Sequence, residues 1–223
     1  MNNFDLIIFG CDGTLVDSEY LNNKALSDLL CEYGLPQYDV AYALENFVGK
    51  TVSNILLMIQ METGFSFPKD TVSRYIENAR RLQKTHLKPI PDAMEVVKNC
   101  ARHLKVCVGS NGERSNVLES LRLTGFLDVF SDETVFTKVQ VPNGKPAPDL
   151  FLFAAGKMGA APRRCLVIED SESGVIAGKE AGMDVWGFTG VCPDKKRAEI
   201  SLKNAGADRV IEHLIHIPSL LGI

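Results

Sequence analysis

The apolar positions of the chain follow two rhythms. A short unbroken run, Leu6-Ile7-Ile8-Phe9, has the length and β-branched content of a strand buried on both faces. It breaks at Asp12-Gly13-Thr14, a turn that leaves a carboxylate at the strand's carboxyl end, where open α/β sheets bind ligands. After Ser18 the spacing becomes helical. Leu21, Ala25, Leu29 and Leu30 recur on one face up to Gly34-Leu35-Pro36, which stops the helix. Thr51 caps a second helix carrying Ile55, Leu56 and Ile59, closed by Gly64. Asp70 or Thr71 opens a third, which runs through Arg80 and Arg81. Nothing in this block reads as a strand.

Lys88-Pro89-Ile90-Pro91-Asp92 predicts a stiff, extended connection. Beyond it strands and helices alternate. Predicted strands lie at Val106–Gly109, near Thr134–Phe136, and at Cys165–Ile168, Val185–Phe188 and Val210-Ile211. Predicted helices lie at Asp92–His103, Arg114–Leu123, Asp149–Met158, Ser173–Ala181 and Arg197–Asn204. Such alternation argues for an α/β fold, a Rossmann-like and mostly parallel sheet with helices on both faces. Leu6–Phe9 needs that sheet to join. The expected organisation is therefore a core of residues 1–16 and 88–223, with a helical cap of residues 17–87 inserted.

Composition narrows the classes. The 223 residues, 45% of them hydrophobic, suffice for one full core, or for one core plus a small accessory domain. A net charge of −4 with no long run of one sign gives no footprint for nucleic acid or an anionic membrane. No apolar stretch approaches the roughly 20 residues that span a bilayer. Met1-Asn2-Asn3-Phe4-Asp5 lacks a basic segment and a signal-type core, and the six scattered cysteines predict reduced, mostly buried thiols. These features together predict a cytoplasmic protein of enzyme size.

The chemistry-bearing residues cluster in four stretches: Asp12 with Thr14, Ser110-Asn111-Gly112, Gly144-Lys145-Pro146, and Glu169-Asp170-Ser171. Parallel strands would gather them at one sheet edge. The Ser110 hydroxyl, nearby backbone N–H groups and Lys145 can hold a phosphoryl group. Asp12, Glu169 and Asp170 supply hard oxygen ligands suited to Mg²⁺. Plainer readings exist for each. Asp12-Gly13 is a common turn pair, Lys145 can be a solvated loop lysine, and Glu169-Asp170-Ser171 can be a helix N-cap. Thr14 can face the phosphate or merely close its turn. The four histidines, His86, His103, His213 and His216, lie outside all four stretches.

On these residues the chain resembles the haloacid dehalogenase-like phosphatases, in the branch with a helical cap and β-phosphoglucomutase-like or sugar-phosphatase style. The resemblance covers nearly the whole chain, with Asp12-Gly13-Thr14, Ser110, Lys145 and Glu169-Asp170 matching the four family motifs in order. It implies an aspartate nucleophile two residues before Asp12, an aspartyl-phosphate, and Asp12 as acid and base. Ser110 and Lys145 would bind the transferring phosphoryl group, assisted by Thr14, Asn111 and Gly112. Asp12 through its backbone carbonyl, Glu169 and Asp170 would hold Mg²⁺. Lys50, in the cap loop Phe47–Thr51, is a candidate for the leaving group, and Asp17 and Glu19 for a hinge.

One position departs from the pattern. The nucleophile position is Gly10, which has no carboxylate. Cys11 is a poor substitute, because neighbouring side chains of an extended segment point to opposite faces and Cys11 should enter the core. An introduced substitution, a sequence error or isolated variant, and a homologue that binds without turnover each account for Gly10. Losing a nucleophile costs on the order of 10⁴ to 10⁶ in rate. The expected function is Mg²⁺-dependent hydrolysis of a small phosphorylated metabolite such as a sugar phosphate, with this chain nearly inactive. The rivals are a β-phosphoglucomutase-like phosphomutase and a non-catalytic phosphate-ligand binding protein. A dehalogenase needs no acidic metal pair, and no Gly-x-Gly-x-x-Gly supports a dinucleotide site.

Overall fold

A computed structural model of the protein describes residues 4–48 and 50–223. Met1–Asn3 of the amino-terminal segment and Gly49 of the loop before Thr51 lie outside the described residues. The chain divides into two compact units, one running up to Asp17 and resuming at Lys88, the other spanning Ser18–Leu87. Strand β1 (Leu6–Phe9) opens the first. The second is entirely helical among its described residues: α1 (Glu19–Glu32), α2 (Val40–Asn46), α3 (Val52–Thr63) and α4 (Thr71–His86). The first unit then continues as α5 (Ala93–Ala101), β2 (Lys105–Ser110), α6 (Arg114–Leu123), β3 (Val135–Thr137) and α7 (Asp149–Met158). It ends with β4 (Cys165–Glu169), α8 (Glu172–Glu180), β5 (Asp184–Phe188), α9 (Lys195–Asn204), β6 (Arg209–Ile211) and α10 (Ile217–Leu221).

The six strands form one sheet in the order β3-β2-β1-β4-β5-β6, and every pairing between them is parallel. Leu6 to Phe9 are fully buried, as a central strand covered on both faces requires. One face packs Leu6, Ile8, Cys107, Cys165, Val167 and Val185 against Leu150, Phe151 and Ala154 of α7 and Val175 and Ala177 of α8. From β1 the chain builds outward to β2 and β3, then returns to β4 on the other side. The strand order thus reverses beside β1, and a crevice at the carboxyl ends of β1 and β4 is where such sheets place ligands.

The helical unit has its own core, built on Leu26, Leu30, Leu35, Tyr38, Phe47, Ile55 and Ile59. Thr51 Oγ1 accepts from the Asn54 N–H at 3.3 Å to cap α3, and Gly64 closes it in the left-handed region. Helix α2 is absent from the sequence reading, although Asp39 caps it by accepting from the Tyr42 N–H at 2.8 Å. Several other boundaries differ by a residue or two. The strand expected near Thr134–Phe136 lies one residue later, and Asp92 precedes α5 at φ 63° rather than opening it. Asp17 falls with the sheet unit, its N–H donating to the Lys88 carbonyl at 2.9 Å. Among the described residues no helix is long and apolar enough to cross a membrane.

Candidate active site

Register builds the site before any side chain does. Phe9 lies opposite Val108 on β2 and Ile168 on β4. The next residue, Gly10, therefore leaves β1 between Gly109 and Glu169, and its N–H is held by the Ile168 carbonyl at 2.8 Å. Alternation puts positions 10, 109 and 169 on the same sheet face as Ile8, Cys107 and Val167. Cys11 falls on the other face and is buried, and burial pushes its thiol pKa well up, with Asp12 adding to the effect.

Lys145 reaches the same point from the loop before α7. Its ammonium donates to the Gly109 carbonyl at 2.9 Å and forms an ion pair with the Glu169 carboxylate, over the ring of Phe151 at 5.2 Å. The Lys145 and Glu169 side chains are 6% and 2% exposed, so this charge pair is desolvated and each member needs the other. The second oxygen of Glu169 accepts from Ser171 Oγ at 2.9 Å, and Ser171 Oγ in turn caps α8 by accepting from the Gly174 N–H at 3.1 Å. The stretch Glu169-Asp170-Ser171 thus starts a helix and anchors a lysine at once.

Asp170 faces the turn after β1. Thr14, fully buried, donates to Asp170 Oδ1 at 2.9 Å. The carboxylate packs so closely on Gly13 that a Cβ there would fall 2.0 Å from Asp170 Oδ2, and Gly13 has φ +73°, so glycine is required twice over. Burial first, and the neighbouring Glu169 charge second, push the Asp170 pKa up to about 8, against the Thr14 hydrogen bond. Ser110 Oγ accepts from the Gly112 N–H at 3.0 Å. A Cβ on Gly112 would lie 3.1 Å from Ser110 Oγ and 3.9 Å from Asp12 Oδ2, which sets the exposed Asp12 carboxylate close to that turn.

The structure thus brings Gly10, Thr14, Lys145, Glu169 and Asp170 into one contact network, with Asp12, Ser110 and Gly112 beside it. The Thr14 hydroxyl is bonded to Asp170, and the Asn111 side chain to the Lys145 backbone. Lys50 belongs to the helical unit, where its ammonium donates to the Asn46 carbonyl at 2.5 Å. The Gly109 carbonyl and Ser171 went unread as site groups. Ser171 was legible as a cap, whereas a backbone carbonyl carries no residue-type signal.

Gly10 has little room beside it. A Cβ would stand 2.7 Å from Thr14 Oγ1 and 3.1 Å from Glu169 Oε1. Both are side-chain atoms, so Thr14 has to move and Glu169 to give by a few tenths of an ångström before residue 10 can carry a side chain. Among the described residues no cluster of three or more His, Cys, Asp or Glu is arranged around a metal position. The oxygens present nonetheless fit Mg²⁺, which takes one or two carboxylates and completes its shell with water and phosphate. Asp170 Oδ2 is not used by Thr14, and the Asp12 backbone carbonyl is a second hard donor.

Comparison with known proteins places the chain in a family. The haloacid dehalogenase-like hydrolase family matches residues 7–188. The chain is 28% identical to the 6-phosphogluconate phosphatase of Escherichia coli K12, over 99% of this chain and 96% of that protein. It is 31% identical to the fructose-1-phosphate phosphatase of the same organism, over 80% and 93%. A crystal structure of a family hydrolase from Deinococcus radiodurans, with bound phosphate and sodium, superposes with a TM-score of 0.84 at 29% identity, covering 100% of this chain and 96% of that one. A sheet with its strand reversal beside β1, a lysine and acidic pair at the crevice, and a match spanning most of the chain lead to one assignment: the chain belongs to the haloacid dehalogenase-like hydrolases.

Proposed function

We propose that this chain carries the site of a sugar-phosphate phosphatase from which the nucleophile is missing. The observation that carries the reading is the Lys145 ammonium held between the Gly109 carbonyl and Glu169, directly beside Gly10. A fixed cation at that point serves a phosphoryl group transferring to residue 10. Similarity to phosphatases of 6-phosphogluconate and fructose 1-phosphate supports a phosphorylated six-carbon substrate.

Each residue has a task in this reading. Ser110 and the N–H groups after it bind phosphoryl oxygens, and Lys145 balances their charge. Asp12 holds the proton that the leaving alkoxide needs and later takes one from water. Asp170 and the Asp12 carbonyl would hold Mg²⁺, with Glu169 supporting through its neighbours. When bound, Mg²⁺ would supply charge stabilisation to the phosphoryl oxygens. Gly10 supplies nothing, so the chain binds its ligand and turns it over at a rate lowered by about 10⁴ to 10⁶.

The presence of every other group beside an absent nucleophile also favours a second reading, a phosphate-ligand binding protein. Product analysis separates the possibilities. The Gly10→Asp chain incubated with hexose phosphates and Mg²⁺ should release inorganic phosphate. An isomerised sugar phosphate would indicate a phosphomutase, and tight binding without either product would indicate the binding protein.

A further inference from the structure

We propose that Asn111 is a positioning residue for Lys145: its amide fixes the Lys145 backbone and thereby sets where the ammonium meets a phosphoryl group. The inference rests on the reading of this site as phosphate-binding and adds a residue that acts through the lysine.

Both polar atoms of the Asn111 side chain are spent on one distant residue. Oδ1 accepts from the Lys145 N–H at 2.9 Å, and Nδ2 donates to the Lys145 carbonyl at 2.8 Å, across 34 positions of sequence. Paired bonds to the N–H and C=O of a single residue fix its orientation as well as its place. Only a primary amide can do both; a carboxylate would face the Lys145 carbonyl with like charge, and a hydroxyl is too short. The approach is close enough that a Cβ on Gly144 would lie 2.7 Å from Asn111 Oδ1, so the neighbour of Lys145 has to be small.

The clamp has a mechanical meaning. Asn111 directly follows Ser110, the last residue of β2, and Gly109 of the same strand accepts from the Lys145 ammonium. Both ends of the lysine are therefore referenced to β2, while Ser110 extends from that strand toward the same site. A lysine side chain has four flexible methylenes and a point charge at its tip. With the backbone held by Asn111 and the tip by Gly109 and Glu169, few conformations remain, and the charge is preorganised before any ligand arrives.

The test uses the chain as it stands and inorganic phosphate as the probe, with affinity read by isothermal titration and folding checked by thermal melting. Lys145→Ala is expected to weaken phosphate binding by tenfold or more, and Asn111→Ala by about fivefold to tenfold, the scale of one or two hydrogen bonds. In the Lys145→Ala background, Asn111→Ala should then cost nothing further, because its effect passes through the lysine. If Asn111→Ala fails to fold, Asn111→Ser keeps a polar side chain too short to span both bonds and should weaken binding similarly. Unchanged affinity in the Asn111 variant, or the same loss with and without Lys145, overturns the inference while leaving the phosphate site intact. Unchanged affinity in Lys145→Ala overturns the site reading itself, and this inference with it.

Discussion

The ammonium of Lys145 and the carboxylate of Glu169 form a buried ion pair beside a residue that has no side chain. The two charges lie 24 positions apart, one in the loop before α7 and the other on the last residue of β4, and meet because β1, β2 and β4 run parallel in one register. A buried pair of this kind is costly to break from one side, since the remaining charge keeps its desolvation cost without its partner.

Glu169→Leu should therefore destabilise the fold by about 3–5 kcal/mol. Lys145→Met alone should cost a similar amount. The double replacement with Glu169→Leu should cost much less than the sum, because no charge is stranded. Urea denaturation of the four chains measures the coupling directly, and additive losses would show that the two groups do not depend on each other.

The Thr14 hydroxyl is fully buried and donates to Asp170. Thr14→Val keeps the shape and removes the donor, leaving a carboxylate oxygen without its partner. The expected loss is about 1–3 kcal/mol. It should largely disappear when Asp170 is also changed to Ala, which removes the acceptor, as urea denaturation of the single and double variants would show.

Four of the six thiols, Cys11, Cys100, Cys107 and Cys165, are buried, while Cys31 is exposed and Cys192 partly so. An aromatic disulfide reagent should label Cys31 and Cys192 in the native chain and the other four only after denaturation. Burial pushes the Cys100 and Cys165 thiols up to about 11. Their neutral forms are favoured by the fold, so this stabilisation is complete below the unfolded thiol value of about 8.5 and is lost as pH rises toward 11. Stability should fall across that window, with a slope of at most about 1.4 kcal/mol per pH unit for each thiol. Replacing Cys100 by Ala should flatten the slope.

Much of this arrangement is legible in residue order, for physical reasons. Leu6–Phe9 reads as a central strand because only a strand covered on both faces tolerates an unbroken apolar run. Thr51 and Gly64 mark the ends of α3 because capping and left-handed backbone are chemical properties of those residue types. The four polar stretches read as one site because parallel strands bring their carboxyl ends together. Helix α2 was missed because its seven residues bury little, Ala43 alone, so no periodic stripe betrays it. The tasks of Thr14 and Asn111 were not legible, since their partners lie 156 and 34 positions away and only the folded register identifies them.

In the proposed function, residue 10 is the missing group of an otherwise complete phosphatase site. This is tested most directly by phosphate release from an aryl phosphate, comparing the chain as it stands with Gly10→Asp, each with Mg²⁺ and with chelator. The expected result is Mg²⁺-dependent release by the Gly10→Asp chain at a rate about 10⁴-fold or more above the parent, equivalent to at least about 5 kcal/mol of transition-state stabilisation. Equal rates from the two chains, or a Gly10→Asp chain that folds and binds phosphate yet releases none, would contradict it.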